Sequence, residues 1–509
     1  MSTRCVINVD LADVWKTPAR KDFLRTLAWG DEVVVVGQTA KHVEVEFVFY
    51  RQQKDGSVVS AKTTGYICPS ASSKIKPADV VTPFANNTVL KVHFVDVQQG
   101  DGTLIEAPDG KTILVDGGDN QLFARYLAAR YRATSDKNTK HIDCVLVTHG
   151  DADHFAGLVE IYKSEQNKAQ LKRLFMQPAR VYHNGLVKRP KKKNGKTVSE
   201  TDLLGPTAKS GKKLLLTGLV DDLLAVPDAE MNEPFREWKE ALQHYHQRSR
   251  IEFRRLAFGD KTAFDFFNTK DWRIELLGPI TEKVAGKAAL RFLGEPPRGP
   301  RVGQESLSTE EANFGGASAS HTINGHSIVF RLVYGNCSFL FSGDLNDEAS
   351  RFLLRQHLAK KINLEADVFK VPHHGSADFS GGFFNAVSPV VSVVSSGDES
   401  SRKEYMHPRS TLMGALGKSS RVAEPLIFVT ELVAFFQMEG WSRVTDVKKS
   451  KTRGTFFGFS RAAFGIVKTR TDGKRLFVYT DSGNVKMKEA YAYDLHSGKA
   501  PTPAPVRRA

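Results

Sequence analysis

Residues 147–158 read VTHGDADHFAGL, which puts His149, Asp151, Asp153 and His154 on one short turn. Imidazole nitrogens and carboxylate oxygens are ligands for divalent cations such as zinc, manganese and magnesium. Asp116, Asp344, His373 and His374 share a second property: each directly follows an apolar run. An aspartate after a strand also reads as a turn or a helix cap, and a lone histidine as a satisfied core or surface residue. Ligand-type residues at three separate strand ends point instead to a metal site. Two cations held there would polarise an ester, lower the pKa of bound water and stabilise the attacking and leaving oxygens. Phosphodiesters suit that chemistry and need no serine or cysteine nucleophile. His407, in YMHPRS, would either donate a proton to the leaving oxygen or fix the turn before Pro408.

These residues need strands to deliver them. KVHFVDV (91–97), TLIEA (103–107), KTILVDGG (111–118) and CVLVTHG (144–150) read as strands, with a hairpin about Pro108-Asp109-Gly110. Helices are expected at 121–132 and after the turn, where Leu158, Ile161 and Tyr162 share one side. HSIVFRLVYGNCSFLFSGDL (326–345) is a hairpin about Gly335-Asn336 that delivers Asp344. ADVFKVPHHGS (366–376) and SPVVSVVSSG (388–397) are further strands, and a last hairpin turns at Asp472-Gly473. The layout is layered α/β, and the crevice at the carboxyl ends of its strands is the natural ligand site.

Outside this region the signals are sparser. Residues 1–75 read as a small all-β module, which resembles a bacterial SH3-like barrel through "WGD" and a closing "GYI"; 70–88 reads as a linker. PFREWKEALQHYHQ (234–247) is an amphipathic helix, with Phe235, Trp238, Leu242 and Tyr245 on its apolar side. The Gly-, Pro- and Ser-rich stretch 294–320 reads as a mobile loop, and 491–509, ending PTPAPVRRA, as a flexible tail. GPTAKSGKK (205–213) is not a nucleotide-binding loop: its second glycine comes one position late and Lys213 replaces Ser/Thr.

The chain of 509 residues is long enough for about three domains. Its 41% hydrophobic content excludes a disordered chain. Lys and Arg outnumber Asp and Glu by 72 to 57, a net +15, which favours phosphate-rich partners, nucleic acid above all. Lys188, Arg189, Lys191, Lys192, Lys193 and Lys196 form a basic run that would track phosphates or lie as a solvated loop. Cys5, Cys68, Cys144 and Cys337 make no CxxC motif and fit buried thiols in a reducing cytoplasm. The N-terminus has no signal-like apolar run, and no apolar stretch reaches the roughly 18 residues that span a bilayer.

The ordered runs VDVQQGDGTLIEAPDGKTILVDGG (95–118), VTHGDADHFAGL, IVFRLVYGNCSFLFSGDL (328–345), KVPHHGS (370–376) and YMHPRSTL (405–412) resemble the metallo-β-lactamase fold. The similarity is to the soluble hydrolase domain of the competence protein ComEC and its stand-alone relatives. It covers about 89–165 and 326–420. It implies a four-layer αββα sandwich over 89–490, preceded by the SH3-like barrel and interrupted by an inserted subdomain at about 165–320. It also implies two divalent ions, Zn²⁺ or Mn²⁺ with Mg²⁺ as a further candidate. His149 and Asp151 would hold one ion; Asp153 and His154, with His373 or His374, the other; Asp344 would bridge them. Asp116 would orient ligands from behind, and Asp153, Asp116 and His407 are the expected catalytic residues. Asp151 stands where lactamases carry histidine, which favours harder ions. In SHTINGHSIVF the third-motif ligand is His321, Asn324 or His326. The expected function is a metal-dependent phosphodiesterase cleaving DNA. The alternatives are a hydrolase of a small cyclic nucleotide or ester, and a non-catalytic protein that binds partners through the SH3-like module or the insertion.

Overall fold

The computed structural model describes residues 2–70, 73–193, 195–294, 316–397, 407–433, 435–443, 455–463, 465–481 and 489–509. The N-terminal module is one seven-stranded antiparallel sheet. Its order is Phe23–Ala28, Leu11–Trp15, Val58–Ile67, Val43–Gln52, Glu32–Gln38, Thr3–Ile7 and Val81–Pro83. Alternating apolar residues, among them Ile7, Val14, Val43, Val45 and Ile67, fill its interior. The stretch 70–88 is more than a linker. Val80 is fully buried in the module's core, and Val81–Pro83 pairs with Thr3–Ile7, so the β-branched residues that end the linker complete the sheet.

Two larger sheets follow. In the first, Thr112–Val115, Cys144–Leu146, Arg180–His183 and Glu252–Arg255 run parallel. On the other side of Thr112–Val115 come Thr103–Glu106, Leu90–Val95 and the C-terminal strands Ile466–Thr471 and Arg475–Thr480, all antiparallel. In the second, the hairpin Val329–Tyr334/Cys337–Phe341 continues into parallel Val368–Lys370, Val391–Val394 and Leu426–Val429. The sheets face each other across Phe94, Phe330, Phe339 and Phe341, with the Phe330 and Phe341 rings stacked at 4.5 Å. Helices Leu122–Arg130, Ala152–Ser164 and Glu233–Arg248 cover the outside of the first sheet. Asp347–Leu358, Gly381–Val387 and Ser410–Ser419 cover the second. The result is the expected αββα sandwich.

Glu233–Arg248 illustrates the local logic. Asn232 accepts from the Phe235 N–H at its start, Pro234 sits in the first turn, and Phe235, Trp238, Leu242 and Tyr245 are buried. The hairpins at Gly335-Asn336 and Asp472-Gly473 form as read.

Two further expectations are corrected. Part of 165–320 is integral to the sandwich: Arg180–His183 and Glu252–Arg255 lie in the first sheet, and Trp272–Gly278 pairs with Val329–Tyr334 in the second. Among the described residues, a small sheet of Thr207–Ser210, Lys213–Leu216, Lys287–Arg291 and Glu282–Val284 stands apart, with its own core of Leu186, Leu204, Leu216 and Leu290. Short strands broken by loops hid this from periodicity. The loop expected at 294–320 falls, from 295 to 315, outside the described residues. Residues 491–509 are not a loose tail. Ala490–Asp494 and Thr502–Ala504 extend the first sheet, and Ala509 donates its N–H to the Leu11 carbonyl at 2.9 Å. Arg507 and Arg475 both reach the fully buried Asp10 carboxylate. The tail is proline-rich but docks because it neutralises that carboxylate. Among the described residues, no helix is long and apolar enough to cross a membrane.

Candidate metal centre

Four strand ends and one helix start deliver the site. Asp116 follows Thr112–Val115, and His149 follows Cys144–Leu146. Asp344 follows Cys337–Phe341, while His373 and His374 follow Val368–Lys370. Asp153 and His154 open the helix Ala152–Ser164. Asp116, His373 and His374 all adopt left-handed backbone, with φ of 57°, 51° and 51°. Non-glycine residues rarely do so, and such strain concentrates at functional sites.

Donor atoms converge from these ends. His154 Nε2 lies 3.2 Å from Asp344 Oδ1, and His374 Nε2 lies 3.3 Å from Asp344 Oδ2 and 3.5 Å from Asp153 Oδ2. His149 Nε2 is 3.9 Å from Asp344 Oδ2. His149/His154/Asp344 and Asp153/His154/His374 each form a group whose ligand atoms all lie within 4.8 Å of one another. His373 stands further out: its Nε2 is 3.9 Å from Asp344 and its side chain is 23% exposed, against 4% for His374.

The outer ring of contacts fixes which nitrogen points inward. His154 Nδ1 donates to Asp116 Oδ2 at 2.9 Å, and the Thr148 N–H and hydroxyl donate to the same carboxylate at 2.7 Å each. His374 Nδ1 donates to the Ser395 carbonyl at 3.2 Å. Both Nε2 atoms are left aimed at the centre, as metal-binding imidazoles require. His154 Nε2, His374 Nε2 and Asp344 Oδ1 are buried with no hydrogen-bond partner. Orphaned buried polar atoms are costly unless something fills the space between them. This donor set fits a divalent cation.

The electrostatics agree. Burial opposes charge on His154 and His374, but the Asp344 carboxylate outweighs it and holds both well above the ordinary imidazole range. Burial also opposes charge on Asp344, yet His374 and His154 hold its carboxyl well below the usual range. Burial and the neighbouring His154 push His149 down to about 3, so it is neutral. Cations bind deprotonated ligands and displace such shared protons.

The remaining expected residues divide. Asp151 stands outside the compact groups, and its Oδ1 accepts from Lys188 Nζ at 2.7 Å. Of the third-motif candidates, His326 Nε2 donates to the Arg291 carbonyl at 2.7 Å and is buried away from the centre. His321 Nδ1 lies 3.4 Å from Asp378. Asn324 faces the site, with Nδ2 3.4 Å from His373 Nε2. The His407 ring sits 6.3 Å from that of His373. Burial, then the charges of His373 and His374, push it down to about 4. Within the basic run, Arg189 pairs with Glu230, while Lys192–Lys193 and Lys196–Thr197 form a short hairpin with Lys192 and Lys196 exposed.

Sequence reasoning gave no role to Asp101, Gln99 and Lys370. Asp101 Oδ1 pairs with Lys370 Nζ at 2.7 Å and lies 3.5 Å from His374 Nδ1; Gln99 donates to Asp153 Oδ2 at 2.9 Å. The available signal was Gly100 between them. Its φ is +101°, and a Cβ there would meet the Asp153 carbonyl oxygen at 1.7 Å. Only glycine lets this loop close on the ligand turn.

Comparison with known proteins finds similarity over part of the chain. Residues 95–173 match the family model of the metallo-beta-lactamase superfamily. Competence protein ComA of Neisseria gonorrhoeae is 40% identical over 86 residues, 17% of this chain and 12% of that protein. ComE operon protein 3 of Bacillus subtilis (strain 168) is 30% identical over 98 residues, 19% of this chain and 12% of that protein. The chain thus spans about an eighth of the length of these curated relatives. A solved structure described as a new diphosphatase from the PhnP family aligns over 62% of this chain and 93% of its own, at 12% identity and a TM-score of 0.24. The matched stretch, residues 95–173, holds the ligand turn and marks a metallo-beta-lactamase domain within the chain.

Proposed function

We propose that the chain is a divalent-metal-dependent phosphodiesterase that cleaves DNA. The carrying observation is the convergence of buried His154 Nε2 and His374 Nε2 on the Asp344 carboxylate, at 3.2 and 3.3 Å. His149, Asp153, His154, Asp344 and His374 would hold the metal, Mn²⁺ or Zn²⁺ with Mg²⁺ as the third candidate. When bound, it supplies charge stabilisation for a phosphodiester under attack by water. Asp116 and the Ser395 carbonyl hold the two imidazoles in their ligating tautomer, and Gln99 fixes the Asp153 carboxylate. DNA is favoured over other diesters by three features: the net charge of +15, the exposed lysines on the hairpin beyond Lys188, and the similarity to competence proteins. The four cysteines are all buried free thiols, which supports a reducing, cytoplasmic setting.

The test is incubation of the purified chain with single- and double-stranded DNA in Mn²⁺, Mg²⁺, Zn²⁺ or EDTA. Cleavage should require metal and be lost, by at least about 100-fold, in Asp153→Ala/His154→Ala. Equal cleavage by that variant, or in EDTA, would refute the proposal. Turnover of small diesters alone would retain the metal hydrolase and reject DNA as substrate.

A further inference from the structure

The two halves of the centre differ in what surrounds them. Around Asp153, His154, His374 and Asp344, Asp116 holds His154 Nδ1, the Ser395 carbonyl holds His374 Nδ1 and Gln99 holds Asp153 Oδ2, while the two Nε2 atoms face the carboxylates. On the His149 side the set is poorer. The third-motif segment contributes the amide of Asn324, because His326 is held on the Arg291 carbonyl and His321 lies beside Asp378. The remaining carboxylate, Asp151, already carries an ammonium, Lys188 Nζ at 2.7 Å. Lys188 is fixed there. Its carbonyl accepts from the Asn232 N–H at 2.9 Å, where the helix Glu233–Arg248 begins, and the next residue, Arg189, donates its N–H to the Leu203 carbonyl at 2.8 Å. Its side chain is only 21% exposed.

We infer that Lys188 is a built-in competitor for the second cation, so that the chain holds one metal tightly at Asp153/His154/His374/Asp344 and a second only weakly at His149/Asp151. The inference rests on the metal-hydrolase reading above. A fixed positive charge on a ligand oxygen both occupies a lone pair and repels an incoming cation across a partly buried gap, where Coulomb terms are weakly screened. The ammonium thus stands where a second ion would otherwise balance Asp151.

Metal stoichiometry tests this without reference to turnover. The full chain is stripped with chelator, loaded with Mn²⁺, desalted and assayed by elemental analysis, with calorimetric titration of any further equivalent. The wild type should retain one equivalent. Lys188→Met, which keeps the apolar stem, and Lys188→Ala should retain two, with the second Kd tightened at least about tenfold; Lys188→Arg should remain at one. Circular dichroism establishes that the variants are folded. Two tightly held ions in the wild type, or one ion in wild type and Lys188→Met alike, would overturn the role of Lys188 and leave the metal hydrolase standing. No retained metal in any variant would overturn the metal-hydrolase reading, and this inference with it.

Discussion

Asp116 acts through His154. Its carboxylate takes three hydrogen bonds, from the Thr148 N–H, the Thr148 hydroxyl and His154 Nδ1. It therefore fixes a turn, a tautomer and a ring orientation at once. Asp116→Asn should weaken metal retention about 10–100-fold, the usual cost of losing an orienting partner behind a ligand, as read by competition with a fluorescent chelator. His373 and His374 make an internal comparison. His374→Ala should abolish retention at the tight position, whereas His373→Ala, altering a ring further from Asp344 and more exposed, should leave it within about threefold. Equal losses in the two would contradict the geometry.

At the scale of elements, parallel strands do the positioning. Thr112–Val115 beside Cys144–Leu146, and Cys337–Phe341 beside Val368–Lys370, put four ligand-bearing turns at the carboxyl ends of neighbouring strands. The face-to-face phenylalanines join the two sheets, so the site is only as well ordered as that packing. A different kind of element holds the N-terminal module: the last residues pair with Leu11 and Asp13 and send Arg507 to Asp10. Asp10 is fully buried and shared between Arg475 and Arg507. Asp10→Ala should cost about 3 kcal/mol, because it strands Arg475 without its buried partner, and urea unfolding should show the loss. Removing residues 507–509 should do less, because Arg507 is 40% exposed.

At the scale of the molecule, several buried histidines outside the centre set a pH dependence. Burial pushes His183 and His326 down to about 4, and burial followed by the nearby Arg470 holds His93 well below its usual value. A depressed folded pKa means that the unfolded chain takes up the proton more readily. The stability these groups contribute is therefore complete above about pH 6.5 and is lost as pH falls toward 4. Thermal melts of the chelator-treated chain should fall progressively across that window, by roughly 2 kcal/mol or more in total. His326→Gln should flatten the curve. A melting temperature constant from pH 7 to 4.5 would contradict the burial of these rings.

Much of this was legible in one dimension. Apolar runs ending in Asp116, His149, Asp344 and His373–His374 announced a crevice, because strands alternate or run apolar by rules local to the chain. Turn glycines marked the hairpins for the same reason. The helix Glu233–Arg248 was legible from a 3.6-residue spacing. Other features depend on partners distant in sequence. Arg180–His183 and Glu252–Arg255 are too short to announce themselves and become strands only beside Cys144–Leu146. The C-terminal arginines look unstructured until Asp10 lies buried opposite them. Which histidine stands nearer Asp344, and that Lys188 meets Asp151, were decided by the direction of side chains. The sequence by itself thus determined which ligand-type residues stand at which strand ends, because that follows from residue type and local periodicity. The tertiary structure alone decided which atoms meet, because that depends on long-range packing and on charges brought together only when the chain folds.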